Sequence, residues 1–285
     1  MALDQIDVDK LGDPQKEMSF LEHLEELRWH IIRSLLAIVI IGIVLFLVQD
    51  WLFRSVIFGP THKDFISYRA ICDLSQQIGL GERMCFSPPE FRQQAIGFGE
   101  SFITSIKVCF IAGFIAAFPY VFWEIWRFIS PGLYDKERNA TRGVVFICSF
   151  LFILGVLFGY FIIAPFAVNF LAGYTIPGVE NAPTLSSFIN YMVMFTAPAG
   201  LIFELPIVVY FLSKIGLVTP QLMRTYRRHS IIFILLLSAL ITPPDVVTQF
   251  LIGIPLFILY EISIIISRRV EKQEKKKWEA FDQNQ

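Results

Sequence analysis

Six apolar runs, at residues 31–48, 104–126, 143–168, 187–213, 230–242 and 247–266, organise the sequence. Several reach about 20 residues, the length a helix needs to cross ~30 Å of hydrocarbon. A hydrocarbon layer offers no water to unpaired backbone groups, so each run is read as a helix. The composition agrees, since 55% of the 285 residues are hydrophobic and 29 are Phe, more than a soluble core of this size requires. The expected fold class is all-α: a polytopic membrane protein of six transmembrane helices. The formal net charge of −1 says little, because the charges are segregated along the chain. No basic stripe interleaves with exposed aromatics, which leaves nucleic acid without support as a partner.

Orientation follows from the basic residues. Met1 to Met18 are polar and mildly acidic, with no apolar core and no small-residue cleavage site, so the first run is read as a retained span. An even number of spans places both ends on one side. Lys10, Lys16, Arg28 and Arg33 precede or edge the first run. Arg127, Lys136, Arg138 and Arg142 follow the second, and Lys214, Arg224, Arg227 and Arg228 follow the fourth. The tail carries Arg268, Arg269, Lys272, Lys275, Lys276 and Lys277, whereas the connections after runs three and five carry no Lys or Arg. The positive-inside rule makes both termini cytoplasmic. The chain divides into a polar tail (1–17), a membrane domain (18–268) with a long outside loop (49–103) between helices 1 and 2, and a charged tail (269–285).

Run five is short. Its 230–242 stretch spans only ~20 Å as a helix, and Pro243-Pro244 prevents continuation. Either the hairpin of runs five and six thins the bilayer locally, or the helix extends beyond these limits. The long outside loop carries Cys72 and Cys85. In an oxidising compartment they would form a disulfide worth about 3 kcal/mol; the alternative is two free thiols. No pair of matched broken segments signals an inverted repeat.

Motifs for metal, nucleotide or covalent chemistry are absent, so neither a cofactor nor a metal is expected and the chain is not read as an enzyme. His23 and His30, seven apart, read as interfacial side chains without a third ligand. Ser19 with Glu22 is a capping-box pattern. Phe20, Leu21, Leu24, Leu27 and Ile31 recur at helical spacing, so an amphipathic helix feeds the first span. Its polar side holds Glu22, Glu25, Glu26 and Arg28, which is either a solvated face or a receiver for a basic ligand. Carboxylates in the 126–138 segment could likewise grip Arg by bidentate bonds. Glu204 stands between Pro198 and Pro206 at bilayer depth, where a carboxyl costs ~3 kcal/mol or more. It either meets a partner or fixes packing from within. Glu261 lies near an interface, and Asp245 at the Pro243-Pro244 turn would serve as a helix cap.

Four stretches carry a family resemblance. Phe20 to Arg28 (FLEHLEELR) resembles the H-L-x-E-L-R signature of the TatC family, and Phe128 to Arg138 (FISPGLYDKER) its F-x-x-P-x-L-x-x-x-E-R loop. Phe203-Glu204-Leu205-Pro206 resembles its F-E-x-P, and Thr242-Pro243-Pro244-Asp245 with Gln249 its T-P-P-D turn. The first outside loop looks longer than is usual there, so no family role is carried onto it.

The resemblance implies a concave, glove-like six-helix receptor in the bacterial inner membrane. Such a protein recognises Arg-Arg signal peptides of folded precursors and works with the single-span TatA and TatB in a multimeric complex driven by the proton-motive force. Glu26 and Glu137 would contact the arginine pair, with Arg28, Phe128 and Pro131 beside them. Glu204, with Phe203 and Pro206, would meet a partner helix, and Pro243, Pro244, Asp245 and Gln249 would form the outer turn. A proton-coupled secondary transporter with Glu204 as carrier is the competing class. It would need further buried ionisable residues, and the sequence shows one deep carboxylate.

Overall fold

The computed structural model describes residues 20–79, 85, 88, 93–129, 141–178, 182–241 and 246–282. The elements are α1 (Phe20–Leu47), α2 (Ile66–Gln77), α3 (Glu100–Ile129), α4 (Thr141–Phe158), α5 (Ala164–Gly173), α6 (Leu185–Ile202), α7 (Leu205–Lys214), α8 (Pro220–Thr225), α9 (Arg227–Ile241) and α10 (Val246–Asp282). Five helices are long and apolar enough to cross a membrane among the described residues. They are α1, α3, α4 with α5, α6 with α7, and α10. The shortfall against six is α9. Its 15 residues cover ~22 Å, and the three it gains at its start over the apolar run are Arg227, Arg228 and His229.

α1 runs without interruption from Phe20 into the span. It packs along α3, and its other faces are apolar and exposed, as at Leu35, Ile40, Ile43 and Leu47. Gly42 and Gly113 make the crossing close. A methyl on Gly113 would stand 2.9 Å from both the Gly42 nitrogen and the Ile38 oxygen, so the two backbones touch as small residues allow in membranes. α4 and α6 meet equally closely. A methyl on Gly155 would lie 2.6 Å from the Ala199 oxygen. Stacked Phe118 and Phe152 fill the space between α3 and α4.

Two spans are broken, each beside proline. Between α4 and α5 the chain adopts a π-helical turn, Gly159–Ile163, just ahead of Pro165, which has no N–H to continue the regular ladder. Between α6 and α7, Phe203 and Glu204 form a turn, and Pro206 sits in the first turn of α7.

One end of the bundle is capped by the segment before α3. Cys72 and Cys85 are joined by a disulfide with Cα atoms 4.4 Å apart. Tyr68 is buried and donates to the carbonyls of Pro60 at 2.8 Å and Pro165 at 3.3 Å, and burial pushes its hydroxyl pKa up. A parallel bridge joins Gln94 to Thr184. The Glu100 carboxylate accepts from the Ile96, Gly97 and Ser186 amides at 2.8, 2.9 and 2.9 Å, holding the starts of α3 and α6 together. The loop read as 49–103 thus yields to α3 at Glu100. At the opposite, open end, α10 continues as helix past residue 268, so the expected boundary with the charged tail falls inside a continuous element.

Candidate functional site

The open end gathers the start of α1 and the end of α3. His23 stacks on the Phe128 ring with centroids 4.4 Å apart, and His30 meets the same ring edge-on at 6.0 Å. Beneath them the His30 Nδ1 lies 2.5 Å from a Glu124 carboxylate oxygen, and the Tyr120 hydroxyl donates to the other oxygen at 2.8 Å. Glu124 is 1% exposed. A buried carboxylate with two hydrogen-bonded partners is a tie between helices, because losing either helix would strand the charge.

The expectation of a single deep carboxylate is corrected here. Glu124 lies inside the second apolar run, one turn before the basic loop, and its signal was plain: an acid in an apolar stretch is unusual and needs a partner. His30 supplies that partner across 94 positions of sequence, which a local reading could not pair. The two histidines, read as interfacial side chains, both engage α3.

Around this tie, Glu26 and Arg28 are exposed on α1 and Phe128 is half-buried. An apolar groove of about 310 Å³ opens between the two helices, lined by Leu27, Ile31, Leu35, Ile38, Val121, Ile125 and Phe128 with His30 and Ser34. Arg127 lies over the Trp123 ring, away from the groove. Pro131 and Glu137 fall outside the described residues, as do Pro243, Pro244 and Asp245. Gln249 is described, and its amide donates to the Leu235 carbonyl at 3.1 Å, linking α10 to α9.

Glu204 occupies the break between α6 and α7 and is 8% exposed. Neither of its carboxylate oxygens meets the geometry of a hydrogen bond among the described residues, although the buried Cys148 thiol and the Phe152 backbone stand close to it. Phe203 and Pro206 beside it are buried, and Phe203 packs on Phe158 at 5.4 Å. The two carboxylates thus differ in kind: Glu124 is satisfied within the fold and Glu204 is not. Glu261 is paired with Arg227 at 2.7 Å across α10 and α9. No group of three or more His, Cys, Asp or Glu side chains that could hold a metal ion occurs among the described residues.

Comparison with known proteins gives this arrangement a lineage. Residues 22–255 match the family model described as Sec-independent protein translocase protein (TatC). A protein of that name from Blattabacterium sp. subsp. Periplaneta americana is 40% identical over 270 residues, covering 93% of this chain and all of that one. One from Desulforapulum autotrophicum is 34% identical, covering 91% and 88%. A crystal structure of the twin arginine translocase receptor TatC in the detergent DDM superposes with a TM-score of 0.67 at 31% identity, covering 86% of this chain and 99% of that one. The chain is a multi-span helical membrane protein and belongs to the TatC family of Sec-independent protein translocase components.

Proposed function

We propose that this translocase component is the receptor that binds Arg-Arg signal peptides at the open end of the bundle, and that this end faces the cytoplasm. On this reading the protein sits in the bacterial inner membrane with both termini inside, and α9 completes a sixth, short crossing. It performs no catalysis of its own. The observation that carries the reading is the His23–Phe128 stack together with the His30–Glu124 bond, which bring the acidic first turns of α1 against the end of α3. Phe128 lines the apolar groove, Glu26 and Arg28 are exposed on the neighbouring turns of α1, and Pro131 and Glu137 follow in the sequence. A peptide with two arginines ahead of an apolar stretch suits such a surface: carboxylates hold guanidinium groups bidentately, and the groove takes apolar side chains.

Glu204 serves a different step. A nearly buried carboxylate that meets only a weak thiol donor and no hydrogen bond among the described residues is suited to a polar group on an incoming single-span helix, which is the role assigned to a TatA- or TatB-like protein in a multimeric assembly. The proton-coupled transporter remains the second reading, because two carboxylates rather than one are buried among the described residues; it is weakened because Glu124 is paired, so that of these two only Glu204 lacks a hydrogen bond among the described residues.

The test is peptide binding to the purified protein in lipid nanodiscs. Glu26→Ala should weaken an Arg-Arg peptide about tenfold or more and a Lys-Lys peptide much less, since Lys offers a point charge rather than a planar fork. Equal losses for the two peptides would overturn bidentate recognition.

A further inference from the structure

α10 leaves the apolar part of its span at Ile266 and continues as helix to Asp282. The turns just beyond carry Arg268, Arg269, Lys272, Lys275 and Lys276, all exposed. At ~100° per residue these five fall within an arc of ~120°. The opposite side faces the protein: Ser267 and Val270 are buried. Of the half-buried acids, Glu274 therefore lies on the protein side and Glu271 at the edge of the basic arc. Lys275 is paired with Glu271 at 2.8 Å. Arg268, Arg269, Lys272 and Lys276 have no ion-pair partner among the described residues. Glu279, also exposed, closes the stripe.

The same side of the helix, followed back into the span, is apolar and exposed at Ile254, Ile258, Ile262 and Ile265. With the helical repeat, Ile254, Ile258, Arg269, Lys272 and Lys276 lie on one line. The face that meets acyl chains thus becomes a basic face at the level where the chains end. We infer that this stripe binds the phosphate headgroups of anionic phospholipids. Lys276 lies ~15 Å past Ile266 along the axis, but long basic side chains reach back toward the interface. Juxtamembrane basic clusters gain affinity from each charge held near an anionic surface. An acidic protein segment would find no reason to sit where the stripe runs straight out of a lipid-facing surface. Lipid held here fixes the depth and rotation of α10, against which α7 and α8 pack. The inference does not depend on the signal-peptide reading.

The experiment uses the full chain reconstituted in phosphatidylcholine bilayers, with spin-labelled phosphatidylglycerol or phosphatidylcholine as probe. Electron paramagnetic resonance gives the relative association of each with the protein. The native chain should prefer phosphatidylglycerol, and the preference should collapse in about 1 M NaCl, where the Debye length is ~3 Å. Since each base near the surface contributes about a fivefold factor, Arg269→Gln/Lys272→Gln/Lys276→Gln should lower the preference at least tenfold. The control Arg224→Gln/Arg228→Gln, which removes two exposed bases elsewhere at the open end, should keep most of it. No preference in the native chain, an unchanged preference in the triple variant, or an equal loss in the control would each overturn the proposal. The salt titration needs no variant, so the idea stays testable if a substitution perturbs folding.

Discussion

Cutting the tie between α1 and α3 should cost more than either partner's side chain alone suggests, and removing both partners should cost less than their sum. Glu124→Leu deletes a hydrogen bond at 2.5 Å to His30 and one at 2.8 Å from Tyr120. Each bond to the carboxylate is charge-assisted and contributes ~1.5–3 kcal/mol, partly offset by relief of the cost of burying the charge, so a loss of about 3 kcal/mol is expected. His30→Leu leaves a 1% exposed carboxylate with a single hydroxyl donor, and stranding a buried charge costs ~3–5 kcal/mol. The double variant removes both polar groups and replaces them with apolar volume, an exchange that is often close to neutral. The coupling energy should therefore be about 5 kcal/mol or more, the double variant retaining only the small cost of a Tyr120 hydroxyl without its acceptor. A double-mutant cycle measures it, using equilibrium unfolding in mixed micelles followed by far-ultraviolet circular dichroism. Additivity within ~0.5 kcal/mol would refute the argument that this contact joins the two helices.

Other outcomes follow from the same geometry. Gly155→Ala drives a methyl to 2.6 Å from the Ala199 oxygen and 2.8 Å from the Phe203 Cβ; the backbone cannot yield locally, so a loss of ~1–3 kcal/mol is expected in the same unfolding assay. Replacing Cys72 and Cys85 with Ser should remove up to ~3 kcal/mol from the capped end, seen as faster proteolysis between residues 49 and 99 with the helical signal unchanged. Glu204→Ala should leave signal-peptide affinity intact while abolishing co-purification of a single-span partner; loss of peptide binding instead would reverse the assigned roles.

The helical class, the long apolar runs and the bend in run four were legible in the sequence, because hydrophobic length and proline act locally. The prolines flanking Glu204 marked the break that the fold places there, whereas Pro165 inside run three drew no such reading, and the π-helical turn at Gly159–Ile163 emerged only in the fold. The capping-box reading of Ser19 with Glu22 falls on residues whose side chains lie outside the described ones. What stayed hidden was pairing at long range. His30 and Glu124 are 94 residues apart, and only the crossing of α1 and α3 at Gly42 and Gly113 brings them into register. The run of basic residues in the tail was legible as a topological signal, but its sorting onto one face required knowing that α10 remains helical to Asp282. The Glu100 clamp was equally invisible, because it reaches a backbone amide of a distant segment.

That clamp and the tie at Glu124 act on opposite ends of one strut. Glu100 fixes the capped end of α3 to the start of α6, and Glu124 fixes the open end to α1. The 24 helical steps between these two residues span ~36 Å. A tilt of α3 by about 5° about the clamp would swing Glu124 sideways by ~3 Å, about the full length of a hydrogen bond. The contact with His30 cannot stretch that far, so α1 and α3 tilt as one lever or the tie breaks. A force applied to the first turns of α1 is thereby delivered at the far side of the bilayer.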